Sequence, residues 1–172
     1  MEIKSTQNNP GPDKILKEYF GYDGFRENQR EIIETVLGGE DAFVLMPTGS
    51  GKSICYQIPS MLKQGVGIVI SPLIALMEDQ VKALQQNGVN AACLNSTLSF
   101  REAQTVQERV ADGHLDMLYV APERLLTPDF QHFLTLVKPG LFAIDEAHCV
   151  SQWGHDFRPE YLRINEVTHR FP

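Results

Sequence analysis

At 172 residues, 42% of them hydrophobic, the chain is long enough for one compact α/β domain and too short for two of good size. Fifteen Lys and Arg face 22 Asp and Glu, a net charge of −7 that disfavours a general nucleic-acid binder but says nothing about a local groove. A charged fraction of 22%, with 13 Gly and 10 Pro, excludes a disordered or fibrous chain. The longest apolar stretch, residues 66–77, is broken by Ser71 and Pro72 and is too short to cross a bilayer. The first 13 residues are polar and lack the apolar core of a secretory leader. Cys55, Cys93 and Cys149 are far apart, without C-x-x-C spacing, and read as reduced thiols of a cytosolic protein.

In chain order, residues 1–12, with Asn8-Asn9-Pro10-Gly11-Pro12, read as a flexible lead-in to one domain over residues 13–172. Helical spacing covers 13–20 and 26–37, the second stopping at Gly38-Gly39. The apolar run 41–46 is predicted as a strand, 52–63 as a helix, and the β-branched run 66–70 as a buried strand. A helix over 73–87 closes at Gly88, and a strand follows at 90–94. The helix over 99–112 has Ser99 as N-cap and Glu102 at the capping-box position. Two more buried strands fall at 116–120 and 141–144. Continuous apolar strands alternating with helices predict a mostly parallel sheet covered on both faces. Such sheets carry their ligands at the carboxyl ends of the strands, here after Met46, Ile70, Val120 and Ile144.

Chemistry-bearing residues stand at those ends. Met46-Pro47-Thr48-Gly49-Ser50-Gly51-Lys52-Ser53 joins a predicted strand to a helix. Gly49 and Gly51 let successive N–H groups turn inward as an anion nest, and the helix N-terminus adds its dipole. Thr48, Gly49, Ser50 and Gly51 form the cradle, Lys52 reaches the outer phosphates, and the Ser53 hydroxyl can ligate Mg²⁺. Met46 stands where the full G-x-x-x-x-G-K-[ST] pattern has its first Gly. At the end of the last strand, Asp145 suits a water-mediated Mg²⁺ contact, and Glu146 can orient or deprotonate an attacking water. Together these predict ATP or GTP binding with Mg²⁺. Lys52, Asp145 and Glu146 are the candidate catalytic groups.

Further segments resemble the first RecA-like domain of a RecQ-family DNA helicase, of superfamily two, from about Asp13 onward. Phe20-Gly21-Tyr22-Asp23-Gly24-Phe25-Arg26-Glu27-Asn28-Gln29 is similar to the family's adenine-reading motif. The resemblance implies that Tyr22 and Arg26 sandwich the base while the Gln29 amide pairs with its donor–acceptor edge, so that ATP is preferred. Ser71-Pro72-Leu73 and Tyr119-Val120-Ala121-Pro122-Glu123-Arg124 resemble DNA-contact motifs, and Leu94-Asn95-Ser96 lies at a third strand end. Cys149-Val150-Ser151-Gln152-Trp153-Gly154-His155-Asp156-Phe157-Arg158-Pro159-Glu160-Tyr161 resembles the family's aromatic-rich loop, which links single-strand binding to ATP hydrolysis. Ser71, Trp153, His155, Phe157 and Arg158 are thereby implied in DNA contact or coupling. The physics agrees for Trp153, Phe157 and Arg158, whose faces and charge suit unstacked bases. An alternative is that Trp153, Phe157 and Tyr161 are core anchors. His148, His155 and Cys149 make no recognisable metal-ligand set.

The resemblance implies a 3′–5′ DNA helicase motor using ATP and Mg²⁺, with single-stranded and duplex DNA as partners and no membrane. It would reside in the cytoplasm of a bacterium, associated with the nucleoid, or in a eukaryotic nucleus. The alternatives are a catalytically silent ATP- or DNA-binding fragment and an RNA helicase motor, the aromatic-rich loop speaking against the latter. It also implies a further strand with a Thr-Ala-Thr-like motif beyond Pro172, lying between the phosphate-loop strand and the strand ending in Asp145. A second RecA-like domain with an arginine finger is implied as well, so the chain alone is expected to be inactive.

Overall fold

A computed structural model of the chain describes residues 10–47, 49–151 and 157–171. Its contacts divide the chain into two units, residues 1–63 and 64–172.

The first unit holds three helices, α1 (Pro12–Phe20), α2 (Gln29–Leu37) and α3 (Ile54–Leu62). Pro12 occupies the first turn of α1, where its missing N–H costs nothing. Gly21, at φ 73°, ends that helix in the left-handed conformation. Ile15 and Leu16 of α1, Ile33 of α2, and Ile54 and Ile58 of α3 form a shared apolar core. Around it, the Arg30 guanidinium bonds the Asp13 carboxylate and lies 4.9 Å from the Phe25 ring centroid.

Residues 41–46 form no strand, contrary to expectation. A strand exists only where its backbone N–H and C=O groups pair with a neighbour. None of the ladders among the described residues includes this segment. Phe43 and Leu45 are accordingly 82% and 84% exposed.

The second unit is a four-stranded, all-parallel sheet of β1 (Gly67–Ile70), β2 (Ala91–Leu94), β3 (Met117–Val120) and β4 (Leu141–Ile144), in the order β2-β3-β1-β4. The expected α/β fold is present. β1 and β3 are buried at every position, as their unbroken apolar runs require of strands covered on both faces. The connecting helices are α4 (Ile74–Gln86), α5 (Phe100–Ala111), α6 (Pro122–Leu125) and α7 (Pro128–Val137), with α8 (Ile164–Thr168) after β4. Ile68, Ile70, Leu118, Val120, Leu125, Phe130 and Leu134 pack in one core with Ile164 and Val167. β1 and β4 can pair from their first residues because Gly140 brings the two chains together. A Cβ on Gly140 would lie 2.2 Å from the Gln64 carbonyl oxygen.

The capping box of α5 forms as its spacing predicts. The Ser99 N–H donates to Glu102 Oε2 at 2.8 Å, and the Glu102 N–H donates to Ser99 Oγ at 3.3 Å. β4 is an edge strand among the described residues, with Ile144 46% exposed. Among the described residues no helix is long and apolar enough to cross a membrane. Cys55 and Cys149 are buried cysteines that are not joined in a disulfide, and burial pushes the Cys55 thiol up to about 11.

Candidate functional site

In the first unit the chain between α1 and α2 meets the glycine-rich loop. The Gln29 side chain is only 2% exposed and is held at both ends. Its Oε1 accepts the Arg26 N–H at 2.7 Å, and its Nε2 donates to the Gly51 carbonyl at 3.0 Å and the Ser50 carbonyl at 3.5 Å. Arg26 Nη1 donates to the Gly49 carbonyl at 2.9 Å. Two residues of the predicted base-reading segment therefore brace the loop itself. Tyr22, Gly24, Arg26, Gln29, Gly49, Gly51 and Ile54 line one pocket, and Tyr22 is half exposed at 49%.

The loop has the backbone the sequence requires. Gly49 and Gly51 sit at φ 78° and 86°, in the left-handed region that favours glycine. At Gly51 there is a second constraint, since a Cβ would come 2.5 Å from Gln29 Nε2. The Ser50 N–H donates to the Pro47 carbonyl at 3.2 Å, tightening the turn. Lys52 Nζ donates to the Met46 carbonyl at 3.2 Å, so the ammonium lies along the loop. Ser53 is the half-buried N-cap of α3, and its own carbonyl accepts the Gln57 N–H at 2.9 Å. Thr48 lies outside the described residues.

In the second unit, two of the expected strand ends carry candidate groups. The Asp145 N–H donates to the Ile70 carbonyl at 2.9 Å, and the Ser71 N–H donates to the Val120 carbonyl at 3.1 Å. These bonds hold Ser71 and Asp145 to neighbouring strand ends. Ser71 is 1% exposed, and its hydroxyl has no hydrogen-bond partner among the described residues. Glu146 takes a left-handed conformation, φ 53° and ψ 42°, which a non-glycine residue adopts at a cost. Its N–H donates to Asp145 Oδ1 at 3.0 Å, and its Oε2 lies 3.2 Å from His148 Nδ1. A 3-10 turn over Ala147–Val150 follows.

Beyond that turn the chain returns to the acidic pair. The Arg158 N–H donates to the Cys149 carbonyl at 2.9 Å. The Tyr161 hydroxyl donates to the Asp145 carbonyl at 3.0 Å. Tyr161 is 6% exposed, and burial, the largest influence, holds its phenol well above the ordinary tyrosine range. For Tyr161 the core-anchor alternative is the observed one. The Arg158 guanidinium is 3.6 Å from the Glu123 carboxylate. Phe157 is half-buried, while Trp153 and His155 lie outside the described residues.

Each unit thus gathers its own cluster. Tyr22, Arg26, Gln29, Gly49, Ser50, Gly51 and Lys52 meet in the first, while Ser71, Asp145 and Glu146 lie at strand ends in the second and Arg158 pairs with Glu123. Glu123 and Tyr161 were not singled out as site residues. The available signal was their place in motifs already noted, two residues after Ala121 and three after Arg158.

The DEAD/DEAH box helicase family model matches residues 26–171. An ATP-dependent DNA helicase RecQ of Haemophilus influenzae is 50% identical over 92% of this chain and 26% of its own length. One from Bacillus subtilis is 50% identical over 91% of this chain and 26% of its own. The chain spans about a quarter of the length of these curated relatives. A crystal structure of the DUF1998 helicase MrfA bound to DNA and AMPPNP shares the fold, with a TM-score of 0.65 and 20% identity, covering 86% of this chain and 22% of that one.

Proposed function

The chain belongs to the DEAD/DEAH box helicase family, and from that membership we propose that it is the ATP-binding first motor domain of a RecQ-like 3′–5′ DNA helicase. In the complete protein it would couple Mg²⁺-ATP hydrolysis to movement along single-stranded DNA and to duplex unwinding. The observation that carries the nucleotide half is the cradle at Gly49 and Gly51, with a left-handed backbone and no room for a Cβ at Gly51. Such a loop ahead of a helix offers N–H groups and dipole to phosphate oxygens. Lys52 would supply the charge for the outer phosphates; the Ser53 hydroxyl of the first unit and, separately, the Asp145 carboxylate of the second are hard oxygen donors of the kind Mg²⁺ takes. When bound, Mg²⁺ neutralises charge developing on the transferred phosphoryl group. Glu146 orients the attacking water and accepts its proton.

The DNA half of the proposal is supported by the relatives' printed names and by the place of Ser71 at the carboxyl end of a strand. Ser71, Trp153, His155, Phe157 and Arg158 are assigned to DNA contact and coupling on this reading.

Two measurements test the nucleotide site. Gly51→Ala adds a residue that costs about 1–2 kcal/mol in the left-handed region, and its Cβ also collides with Gln29. ATP affinity is expected to fall about tenfold or more, read by calorimetry; wild-type affinity would show that the loop is not the phosphate site. Gln29→Ala separates two roles. Loss of the preference for ATP over GTP would assign the amide to the base. Equal weakening of both nucleotides would assign it to bracing the loop through Ser50 and Gly51.

A further inference from the structure

Residues 21–28, between α1 and α2, carry Tyr22 and Arg26, two of the side chains read above as meeting the base, yet little of this loop is buried. Seven of its eight residues are exposed, and Phe25 is half-buried. Backbone bonds fix its two ends. The Gly21 and Tyr22 N–H groups donate to the Lys17 and Leu16 carbonyls at 3.2 and 3.4 Å, and the Gln29 N–H donates to the Arg26 carbonyl at 3.2 Å. Between those ends the ordering falls to side chains. Lys17 pairs with Asp23, and the Arg30 guanidinium covers the Phe25 ring at 4.9 Å from its centroid. Arg30 is itself held from α1, where both oxygens of Asp13 take its fork, Nη1 donating to Oδ2 at 2.9 Å. We infer that Arg30 is a positioning residue for the base of a bound nucleotide, presetting Tyr22 and Arg26 by holding Phe25, which lies between them in the chain, to the two helices.

Several features set Arg30 apart from an ordinary surface cation. It stands in the first turn of α2, where the helix dipole disfavours positive charge, and the Asp13 carboxylate offsets that cost. The Arg30 hydrogen bonds hold the Asp13 carboxyl below the usual carboxylate range, so the pair stays charged through neutral pH. A planar fork can bond a carboxylate at its edge while its face lies on an aromatic ring, which an ammonium cannot do. Phe25 also packs against the core of Ile15, Leu16 and Ile33, so the guanidinium bears on a ring already seated on both helices. Neither Phe25 nor Arg30 lines the pocket of Tyr22, Gly24 and Arg26, so Arg30 acts on a ligand there through the loop. A loop ordered in advance need not be ordered on binding, which raises affinity without adding a contact.

This role rests on the nucleotide reading of the same pocket, and two ligands keep the two apart. Mg²⁺·AMPPNP carries a base and Mg²⁺·tripolyphosphate carries none, and calorimetry measures both on the full chain. Wild type is expected to bind AMPPNP more tightly. Arg30→Met keeps an unbranched side chain and removes the charge and the fork. It is expected to weaken AMPPNP about three- to tenfold, with tripolyphosphate affinity at the wild-type value. Asp13→Asn is expected to weaken AMPPNP in the same selective way by a smaller factor. Adding it to Arg30→Met should cost nothing further, because Asp13 acts only through the guanidinium. Unchanged AMPPNP affinity in Arg30→Met, equal weakening of both ligands, or a further loss in the double variant overturns the inference. Should Arg30→Met not fold, Asp13→Asn decides alone, and the absence of a selective loss there overturns it. Wild type binding the two ligands equally, or neither, overturns the base-pocket reading itself and the positioning role with it.

Discussion

In the complete motor, Glu146→Gln is expected to lower ATP turnover by about 10²–10⁴-fold, the range that a positioned general base supplies, while ATP binding persists. The backbone at Glu146 is held from outside the side chain, by its N–H on Asp145 Oδ1 and by the Tyr161 hydroxyl on the preceding carbonyl. Glutamine has the same shape and retains an oxygen to face His148 Nδ1, which lies 3.2 Å from Glu146 Oε2. What it loses is the capacity to accept a proton. Steady-state hydrolysis in the presence of single-stranded DNA, set beside equilibrium ATP binding, separates the outcomes. Turnover near wild type would remove Glu146 from the base role. Loss of binding along with turnover would mean that its charge holds the metal-nucleotide complex.

The parts of this fold that were legible in the sequence are those fixed by local chemistry. The spacing of Ser99 and Glu102 identifies a helix start because the two groups satisfy each other without outside help. β1 and β3 were legible because an unbroken β-branched or apolar run has few stable homes other than a strand covered on both faces. The run at residues 41–46 looks the same in one dimension, but a strand needs a partner, and sequence alone does not say whether one is paired there. Helices α6 and α7 were passed over although Pro122 and Pro128 stand at their first positions, the placement that commonly opens a helix. At the site, Gly49 and Gly51 were readable as residues with special backbone conformations. That Gln29 fills the space beside Gly51 was not, because an amide twenty-two positions away offers no local signal. Tyr161 illustrates the same limit. Its residue type is equally at home against a base or in a core, and only the Asp145 carbonyl 3.0 Å from its hydroxyl decides between them.

On the proposed reading, removing Trp153 and removing Arg158 are expected to weaken single-stranded DNA binding to different extents. Stacking of a base on an aromatic ring contributes about 1–3 kcal/mol, so Trp153→Ala is expected to lower affinity about 5- to 150-fold. Arg158 begins from a different state, with its guanidinium 3.6 Å from the Glu123 carboxylate. To reach a DNA phosphate it must exchange that partner, so part of its Coulombic gain is offset and Arg158→Ala should cost less than Trp153→Ala. The pair is well exposed, at 37% and 51% for the two side chains, and exposed pairs contribute about 0–1 kcal/mol. Glu123→Gln releases the guanidinium and is therefore expected to tighten single-strand binding by no more than about fivefold. The gain should also carry an electrostatic signature. One additional phosphate contact on a single strand steepens the dependence of log affinity on log salt by about 0.7. Fluorescence anisotropy of a labelled oligonucleotide over a salt series measures both effects. Combining Glu123→Gln with Arg158→Ala should erase the gain and the added slope together, because the carboxylate acts only through that guanidinium. A gain that survives in the double variant would instead place Glu123 itself against the DNA, where its charge repels the backbone directly.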